Sequence, residues 1–303
     1  MDLDFVRIEI EITVEIPAPL APALSTVLRN FEAEFKSACC DTPQQVCTTC
    51  SRRDQCPRGT LFRQQLSSDP EIVRRHQKPP LPFSLYVDGA ADSALICSAG
   101  LVVIGTAVHS VGYFYTALLN MVNSVLTSLS PPNSFNIRCY SLDYHGVRHE
   151  ISQGASLPDG VILLSGQHII QNSVHANSVR VSLKSPLRLL TNGTIAYQFD
   201  FAQFFRSQLR RCSSLFAYYG TGELNLDYVR LSELAQNVTV IDDEIHYIQP
   251  AWSKNQNRAG LLGTAVCTGL VEPMSALLLL ASYFNGGKGA SFGSGFHGIE
   301  VLY

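Results

Sequence analysis

Residues 6–16 alternate between apolar and polar side chains, and this pattern constrains the fold more than any other stretch of the chain. The apolar positions are Val6, Ile8, Ile10, Ile12, Val14 and Ile16. Successive side chains of a strand point to opposite faces of a sheet, so the alternation predicts a strand with one buried and one solvated face. Pro17 is expected to end this strand. The chain must therefore build a sheet that is covered on one side.

Helical and strand patterns follow this strand in a regular order. Pro22 fits the first turn of a helix, and apolar residues then recur at helical spacing, at Leu24, Val27, Leu28, Phe31 and Phe35. Strand patterns at 83–87 and 93–106, a helical pattern at 111–129 and a strand pattern at 135–142 complete the series. The order strand, helix, strand, strand, helix, strand is that of a ferredoxin-like unit.

The second half of the chain repeats this order. A strand pattern at 178–183 precedes a helix that Asp200 caps and Gly220 closes. Strands at 238–248 and 260–268, a helix at 274–284 and a strand at 299–303 follow. The sequence therefore predicts an α+β protein with two tandem ferredoxin-like domains. These are an N-terminal domain at 1–145 with a cysteine-rich insertion at 39–56, a connecting segment at 146–177, and a C-terminal domain at 178–303 with a glycine-rich loop at 286–298.

Composition supports two folded domains and excludes several classes of protein. Of the 303 residues, 46% are hydrophobic and 16% are charged, so the chain can build two cores and disorder is not expected. A net charge of −3 argues against indiscriminate nucleic-acid coating but allows a local basic groove. The apolar stretch 95–125 is interrupted by polar residues and glycines, so we interpret it as a buried strand and helix rather than a membrane span. Because no signal peptide is recognised, the nine cysteines indicate free thiols and a cytoplasmic protein.

Five cysteines lie between positions 39 and 56 and form the pattern of a metal-binding knuckle. Cys47 and Cys50 make a tight pair, Cys56 follows a charged turn, and Cys40 completes four thiolates, with Cys39 as the alternative fourth ligand. Four thiolates close a tetrahedral zinc site that leaves no position for substrate, so the predicted zinc is structural. An iron–sulfur cluster uses the same ligands. The alternative is a cluster of reduced thiols without a metal.

Six glycines lie in the last eighteen residues, around Lys288. Backbone amides in such a loop, beside a helix end and a lysine, suit a phosphate-bearing ligand. Phosphate loops of the nucleotide-hydrolase and dinucleotide kinds run from a strand into a helix, whereas this loop leaves a helix and enters a strand. The Walker spacing is also absent, because Gly289 follows Lys288 where Ser or Thr is required. The alternative is a flexible connector.

Three of the eight histidines have surroundings that suit general acid–base chemistry. His76 lies in a basic loop, His109 lies where an apolar strand gives way to a helix, and His297 lies at the exit of the glycine-rich loop. A single histidine in such a place is more often a surface or packing residue than a catalyst.

Several blocks of the chain, in the right order, resemble one known family. Residues 287–296 (GKGASFGSGF) resemble the C-terminal glycine-rich signature of the CRISPR-associated endoribonucleases that process precursor crRNA, members of the RAMP superfamily. Residues 181–188 (VSLKSPLR), 209–220 (LRRCSSLFAYYG), 260–263 (GLLG) and 274–280 (MSALLLL) are similar to the blocks that precede this signature. Residues 47–62 resemble the cysteine segment of one branch of the family.

The resemblance implies two ferredoxin-like domains and cleavage of CRISPR repeat RNA without a catalytic metal. In that chemistry the ribose 2′-hydroxyl attacks the neighbouring phosphate, which leaves a cyclic phosphate and a free 5′-hydroxyl. A histidine is expected to act as general acid or base, and we rank His109 first, His76 second and His297 third. Family members often place this histidine on or just after the first helix, but this chain has none before His76. The residues expected to bind RNA are Lys288, Gly287, Gly289, Gly293, Gly295, Lys184 and Arg188.

Two other functions fit the same residues. One is a non-catalytic RAMP-type subunit that binds guide RNA within a CRISPR effector complex. The other is an unrelated metal-stabilised α/β protein whose loop binds a small phosphorylated ligand. The expected partner is CRISPR repeat RNA or mature crRNA, and no membrane association is expected.

Overall fold

The computed structural model describes residues 2–42, 44–89, 94–129, 135–151, 160–191, 193–249 and 259–302. The chain forms two compact units. One is Asp4–Leu164, and the other is Ser165–Tyr303 together with Met1–Leu3.

The first unit is one antiparallel sheet with helices. Its strands follow the order β2-β3-β1-β4-β5, and β6 also pairs with β1. Counting β1 to β4 alone, the order is that of a ferredoxin-like sheet. The elements are β1 (Asp4–Ala18), α1 (Leu20–Val27), α2 (Phe31–Cys39), α3 (Pro57–Phe62), α4 (Pro70–Arg75), β2 (Phe83–Asp88), β3 (Ala94–Ile104), α5 (Val111–Leu129), β4 (Phe135–Leu142), β5 (Arg148–Glu150) and β6 (Leu163–Ser165).

The alternating pattern of β1 maps onto the two faces of this sheet. Ile8, Ile10 and Ile12 are fully buried, and Ile8 lies between Leu101 of β3 and Ser141 of β4. The prediction is wrong at the end of the strand, because β1 continues through Pro17 to Ala18. A register shift between Thr13 and Ala18 interrupts the pairing with β3, so alternation no longer assigns faces there and Ile16 is 69% exposed.

The predicted first helix is two helices joined by a short 3₁₀ turn at Leu28–Asn30. The apolar positions still reach one core, in which aromatic rings pack closely. The centroids of Phe35 and Phe114 are 4.6 Å apart, and those of Phe31 and Phe83 are 5.3 Å apart. Aromatic burial of this kind anchors both α2 and α5 to the sheet.

The second unit repeats the strand order of the first. Its sheet runs β10-β12-β7-β13, with β11 also paired to β12, and β8 and β9 form a separate two-stranded hairpin. The prediction of an α+β protein with tandem ferredoxin-like folds is thus confirmed. The elements are α6 (Gly166–Asn172), β7 (Ser178–Leu187), β8 (Leu190–Thr191), β9 (Thr194–Ile195), α7 (Phe201–Tyr219), α8 (Tyr228–Leu234), β10 (Thr239–Asp243), β11 (His246–Ile248), β12 (Gly260–Thr268), α9 (Met274–Ser282) and β13 (His297–Leu302).

Helix α7 begins and ends at the residues expected from the sequence. The carboxylate of Asp200 accepts a hydrogen bond of 2.6 Å from the amide of Gln203, and Gly220 is the C-cap. The buried stripe of α7 includes Phe204, Phe205 and Leu209, and these side chains belong to the core that β7 and β12 also line. This amphipathic packing fixes α7 against the sheet that carries the glycine-rich loop.

The segment predicted to connect the domains contains structure of its own. Strands β5 and β6 and helix α6 all lie within 146–177, whereas residues 152–159 fall outside the described part. The start of the chain also belongs to the second unit, because Asp2 accepts hydrogen bonds from the hydroxyl of Ser165 (2.6 Å) and the amide of Gln167 (3.0 Å). None of the described helices has the length and apolar character needed to cross a membrane.

Candidate nucleic-acid interface

The glycine-rich loop joins α9 to β13 and is folded rather than extended. Asn285 opens it with φ of 56°, and its buried side chain donates a hydrogen bond of 2.9 Å to the carbonyl of Ala290. Asparagine tolerates this left-handed conformation better than most residues. Four of the following glycines, Gly287, Gly289, Gly293 and Gly295, also have positive φ.

Hydrogen bonds pin the loop to β7 and to the residue that follows it. The amide of Lys288 donates to the carbonyl of Arg188 (2.9 Å), and the amide of Gly295 donates to the carbonyl of Pro186 (3.1 Å). The hydroxyl of Ser185 accepts from the amide of Phe296 and donates to the carbonyl of Gly293, both at 2.8 Å. These hydrogen bonds hold the loop in one conformation, unlike a flexible connector.

Close backbone approach explains why glycine is required at two of these positions. A Cβ atom on Gly287 would lie 2.6 Å from the carbonyl oxygen of Arg188. A Cβ atom on Gly295 would lie 2.1 Å from the carbonyl oxygen of Gly286. Both residues also have positive φ, so any side chain would add backbone strain to a steric clash.

The outer surface of the loop carries positive charge. Lys288 and Gly289 are exposed, and the described residues offer no hydrogen-bond acceptor to the amides of Gly287 and Gly289. Lys184 is also exposed, with its Nζ 5.2 Å from the ring centroid of Phe296. Arg188, by contrast, is only 7% exposed. Amides beside an exposed lysine form a surface that suits a phosphate group.

A buried glutamine, Gln208, packs against the loop, and no sequence signal pointed to it. Gln208 on α7 is 2% exposed, and neither polar atom of its amide has a hydrogen-bond partner among the described residues. Its side chain packs over Gly286, where an added Cβ would lie 2.0 Å from Nε2. The sequence located α7 by its capping residues, which carry no information on a buried glutamine in the middle of the helix.

His297 lies in the interior of the second unit. It is 1% exposed, its Nδ1 donates to the carbonyl of Gly295 at 2.9 Å, and its ring meets Phe204 edge-on at 5.3 Å. No partner for Nε2 is found in the described part of the chain. Burial lowers the pKa of His297 to about 4, although the bond to Gly295 opposes the shift. The ring is therefore neutral near pH 7 and does not reach the surface.

The other two candidate histidines belong to the first unit. His109 is exposed on a 3₁₀ turn, Gly105–Ser110, that precedes α5. His76 is half-buried and caps α4, with its amide donating to the carbonyl of Ile72 at 2.8 Å. His297, by contrast, lies in the second unit, and the catalytic roles of all three histidines stay predictions.

An aromatic pair lies beside the loop and could not be inferred from sequence spacing. The ring centroids of Tyr197 and Tyr247 are 4.5 Å apart at an angle of 49°. Tyr197 is 67% exposed. Partial desolvation raises the pKa of Tyr247, Tyr197 adds to the rise, and the positive charge of Arg188 opposes it.

The cysteine-rich insertion forms a second candidate site, in the first unit. Cys40, Cys47, Cys50 and Cys56 line one cavity of about 20 Å³, together with Lys36, Gln45, Arg53, Arg58 and Gly59. That volume holds about one water-sized sphere. Burial raises the pKa of the Cys39 thiol, and the neighbouring Cys56 and Cys40 add to the rise. The turn packs tightly on α3, because a Cβ on Gly59 would lie 1.8 Å from the carbonyl oxygen of Arg53.

The thiols that line this cavity suit zinc, but they do not form a complete set of metal ligands. Thiolates are strong zinc ligands, and the four that the sequence singles out do face one space. Within the described ranges, however, no three His, Cys, Asp or Glu side chains converge closely enough to hold a metal ion. The zinc site therefore stays a prediction.

Two family models match the chain. Residues 3–137 match one described as the AF_1859 N-terminal domain. Residues 181–296 match the model of the CRISPR-associated endoribonuclease Cas6, over the stretch from β7 to the end of the glycine-rich loop. No curated protein matches the chain.

Solved structures of Cas6 proteins are similar over nearly the whole chain. A Cas6 product complex has a TM-score of 0.51 at 14% identity, covering 98% of this chain and 99% of that chain. Thermus thermophilus Cas6 has a TM-score of 0.52 at 14% identity, covering 98% of each. A partial Cas6-RT-Cas1–Cas2 complex has a TM-score of 0.55 at 10% identity, covering 99% of this chain but 46% of that chain. At identities this low, the structural similarity shows a common fold and nothing more.

The family match and the fold agree, since the Cas6 model covers the part of the second unit in which β7 anchors the glycine-rich loop. Over residues 181–296, the chain therefore matches the family of the CRISPR-associated endoribonuclease Cas6.

Proposed function

We propose that the protein binds CRISPR repeat RNA and cleaves it at one position to release mature crRNA. The observation that carries this proposal is the Cas6 family match over 181–296, which ends on the anchored glycine-rich loop. A small phosphorylated ligand is less well supported, because that family match points to RNA. The loop lies on an open surface, where Lys288 and Gly289 are exposed.

The loop is proposed to hold the RNA backbone near the scissile phosphate. Lys288 supplies one positive charge, and the amides of Gly287 and Gly289 supply hydrogen-bond donors on either side of it. Because the amide of Lys288 is itself bonded to Arg188, the loop presents these groups in a fixed arrangement before RNA arrives. Gly293 and Gly295 shape the loop, and Lys184 adds a second exposed charge on β7.

The proposed chemistry is transesterification by the RNA itself, without a metal. The ribose 2′-hydroxyl loses its proton to a general base and attacks the adjacent phosphorus. The bond to the 5′-oxygen of the next nucleotide breaks, and that oxygen takes a proton. The products are a 2′,3′-cyclic phosphate and a 5′-hydroxyl. Backbone amides and Lys288 would stabilise the charge that develops on the phosphate oxygens.

His109 is the favoured general acid or base, followed by His76 and then His297. The structure supports this order in one respect, since His109 is exposed whereas His297 is buried with a pKa near 4. General acid–base groups contribute about 10²–10⁴-fold to rate, so alanine at the true catalyst should slow cleavage on that scale and leave binding intact. If the alanine variants of all three histidines cut RNA at the wild-type rate, none of the three is the catalyst.

The proposal is tested by incubating the purified protein with its cognate repeat RNA in excess chelator. One cut that leaves a cyclic phosphate and a 5′-hydroxyl is the expected result. A cut that needs added metal, or that leaves a 3′-hydroxyl, would contradict the mechanism.

A second candidate function is a non-catalytic guide-RNA subunit of a CRISPR complex. It is favoured by one observation, that neither α1 nor α2 carries a histidine. The partial Cas6-RT-Cas1–Cas2 structure shows that a matching fold can be part of a larger assembly. Tight, specific binding of repeat RNA without any cleavage would favour this function over the enzyme.

We also propose that the cysteine-rich insertion binds a structural zinc ion through Cys40, Cys47, Cys50 and Cys56, with Cys39 as the alternative to Cys40. The shared cavity supports the proposal, and the lack of a closed ligand set among the described residues counts against it. Metal analysis of protein purified without chelator tests it directly. One zinc per chain is expected; iron with sulfide would indicate a cluster instead, and a folded protein without metal would leave the thiols unligated.

A further inference from the structure

Backbone contacts link the aromatic pair of exposed Tyr197 and half-buried Tyr247 to the glycine-rich loop. Leu189 and Ala196 face each other at the base of the β8–β9 hairpin, where the amide of Ala196 donates to the carbonyl of Leu189 at 2.9 Å. In an antiparallel hairpin the next pair outward is therefore Arg188 and Tyr197. The carbonyl of Arg188 accepts from the amide of Lys288. Tyr197 is thus one cross-strand step from the residue that anchors Lys288.

Tyr247 reaches the same place from the main sheet. It pairs with Leu261 of β12, and Leu261 pairs with Leu187 of β7, the residue before Arg188. Two separate routes through the fold therefore bring Tyr197, Tyr247 and Arg188 together, in agreement with the electrostatic effect of Arg188 on the Tyr247 phenol. Cross-strand neighbours lie about 5 Å apart, so the backbone of Tyr197 is about 10 Å from that of Lys288 along the route through Arg188.

The protein itself covers little of the Tyr197 side chain. A single exposed apolar residue is ordinary, but this ring rests against a second aromatic ring, beside a cationic loop, and is still 67% exposed. Unstacked bases of single-stranded RNA bind to surfaces of this composition, in which an aromatic face accepts the base and nearby cations hold the backbone.

We propose that Tyr197, supported by Tyr247, is a stacking platform for a base of the repeat RNA whose backbone lies on the glycine-rich loop. This inference rests on the proposed function. Because the backbone of Tyr197 is about 10 Å from that of Lys288, the stacked base and the phosphate at Lys288 belong to one short segment of RNA. The base must be unpaired, because a base inside a helix has no free face.

The charge of the neighbourhood is mixed, and its acidic part is Asp242, Asp243 and the exposed Glu244, whose amide donates to the carbonyl of Thr264 on β12. Asp242 and Asp243 pair with Val266 and Ala265 of β12, whereas Tyr247 pairs with Leu261. Four or five residues of strand separate these positions, which is on the order of 10 Å or more. The segment of RNA is therefore expected to run from Tyr197 toward Lys288 and away from Asp242 and Asp243.

The test compares binding of the cognate repeat RNA by the wild type and by Tyr197→Ala, Tyr197→Phe and Tyr113→Ala over a range of salt concentrations. Loss of a stacked base should weaken the affinity of Tyr197→Ala roughly 5- to 150-fold, with the slope of log K against log salt unchanged because no phosphate contact is lost. Tyr197→Phe keeps the ring and should bind like the wild type. Tyr113→Ala removes a tyrosine that is 42% exposed in the first unit and should also bind normally.

A photo-cross-link identifies the contact directly. Repeat RNA that carries 5-iodouridine at single positions should cross-link to Tyr197 from one or two adjacent positions only. Equal affinity of wild type and Tyr197→Ala, or equally weak binding by Tyr197→Phe, would overturn the platform while the proposed function stands. A wild type that does not bind repeat RNA would overturn both.

Discussion

The buried imidazole of His297 makes the second unit sensitive to acid, and the size of the effect follows from its pKa. The folded protein holds the pKa of His297 at about 4, whereas an unfolded chain has the ordinary value of 6.5. Between these values the unfolded state binds a proton that the folded state does not. The stability is therefore complete above pH 6.5 and is lost as the pH falls from 6.5 to 4.

The expected loss can be worked out from this shift. Each pKa unit corresponds to about 1.4 kcal/mol, so the full effect at low pH is about 3 kcal/mol. Between pH 7 and pH 5 the same relation gives about 2 kcal/mol. For a unit of this size, that lowers the melting temperature by about 4–8 °C.

Replacement of His297 by phenylalanine isolates the effect. The variant loses the hydrogen bond from Nδ1 to the carbonyl of Gly295, but that carbonyl still accepts from the amide of Gly286 at 3.0 Å. The variant also removes the unpartnered Nε2 from the core. At pH 7 we expect the two proteins to differ by about 1 kcal/mol or less.

Scanning calorimetry at pH 5, 6 and 7 is the assay, because it can resolve the two units as separate transitions. Other titrating groups affect both proteins alike, so only the difference between wild type and His297→Phe reports on this ring. The wild-type transition should fall by about 4–8 °C more than that of the variant between pH 7 and pH 5. Parallel pH dependence, or a His297 ring that titrates near 6.5 by NMR, would refute the assignment.

Three further predictions concern the loop and the cysteine-rich insertion. Lys288→Ala should weaken binding of repeat RNA and reduce the slope of log K against log salt by about 0.7–0.9. Arg230→Ala, which removes an exposed cation on α8, should leave this slope unchanged. Equal slopes for the two variants would show that Lys288 makes no phosphate contact. Gly295→Ala should destabilise the second unit by about 2 kcal/mol or more in thermal unfolding, because φ of Gly295 is 65° and the new Cβ would lie 2.1 Å from the carbonyl oxygen of Gly286. Gly298→Ala should be close to neutral, because a Cβ there meets no atom within 4 Å. The double change of Cys47 and Cys50 to serine should lower the melting temperature and abolish zinc content, while the folded fraction still cleaves RNA; loss of cleavage at unchanged stability would assign the cysteines to the RNA site instead.

The order of elements was readable from the sequence because each element carries its own local signal. Alternation marks β1, the capping residues Asp200 and Gly220 bound α7, and helical spacing marks α5. The strand order then follows from the ferredoxin-like connection rule. The ends of elements were less accurate where tertiary contacts decide them, as at Ile16, where a register shift breaks the alternation.

The candidate site was only partly predictable for a related reason. The glycines and Lys288 are adjacent in sequence, so their composition alone suggested a phosphate-binding loop. Gln208 reaches the loop through the packing of α7, and Tyr197 and Tyr247 reach it through the pairing of β7, β11, β12 and the β8–β9 hairpin, and all of these elements are far apart in the chain. The burial of His297 was equally inaccessible, because it depends on the packing of Phe204 from α7.

Cleavage of a repeat RNA with a single 2′-deoxy substitution is the most direct test of the proposed reaction. The substitution is placed on the nucleotide 5′ to the scissile phosphate, and the all-ribose RNA serves as its partner under the same conditions. The proposed mechanism predicts that the protein cuts the all-ribose RNA at one position and binds the deoxy RNA with similar affinity without cutting it. Cleavage of both RNAs at the same rate, or of neither, would contradict the assignment of this chain as an endoribonuclease that uses the ribose hydroxyl.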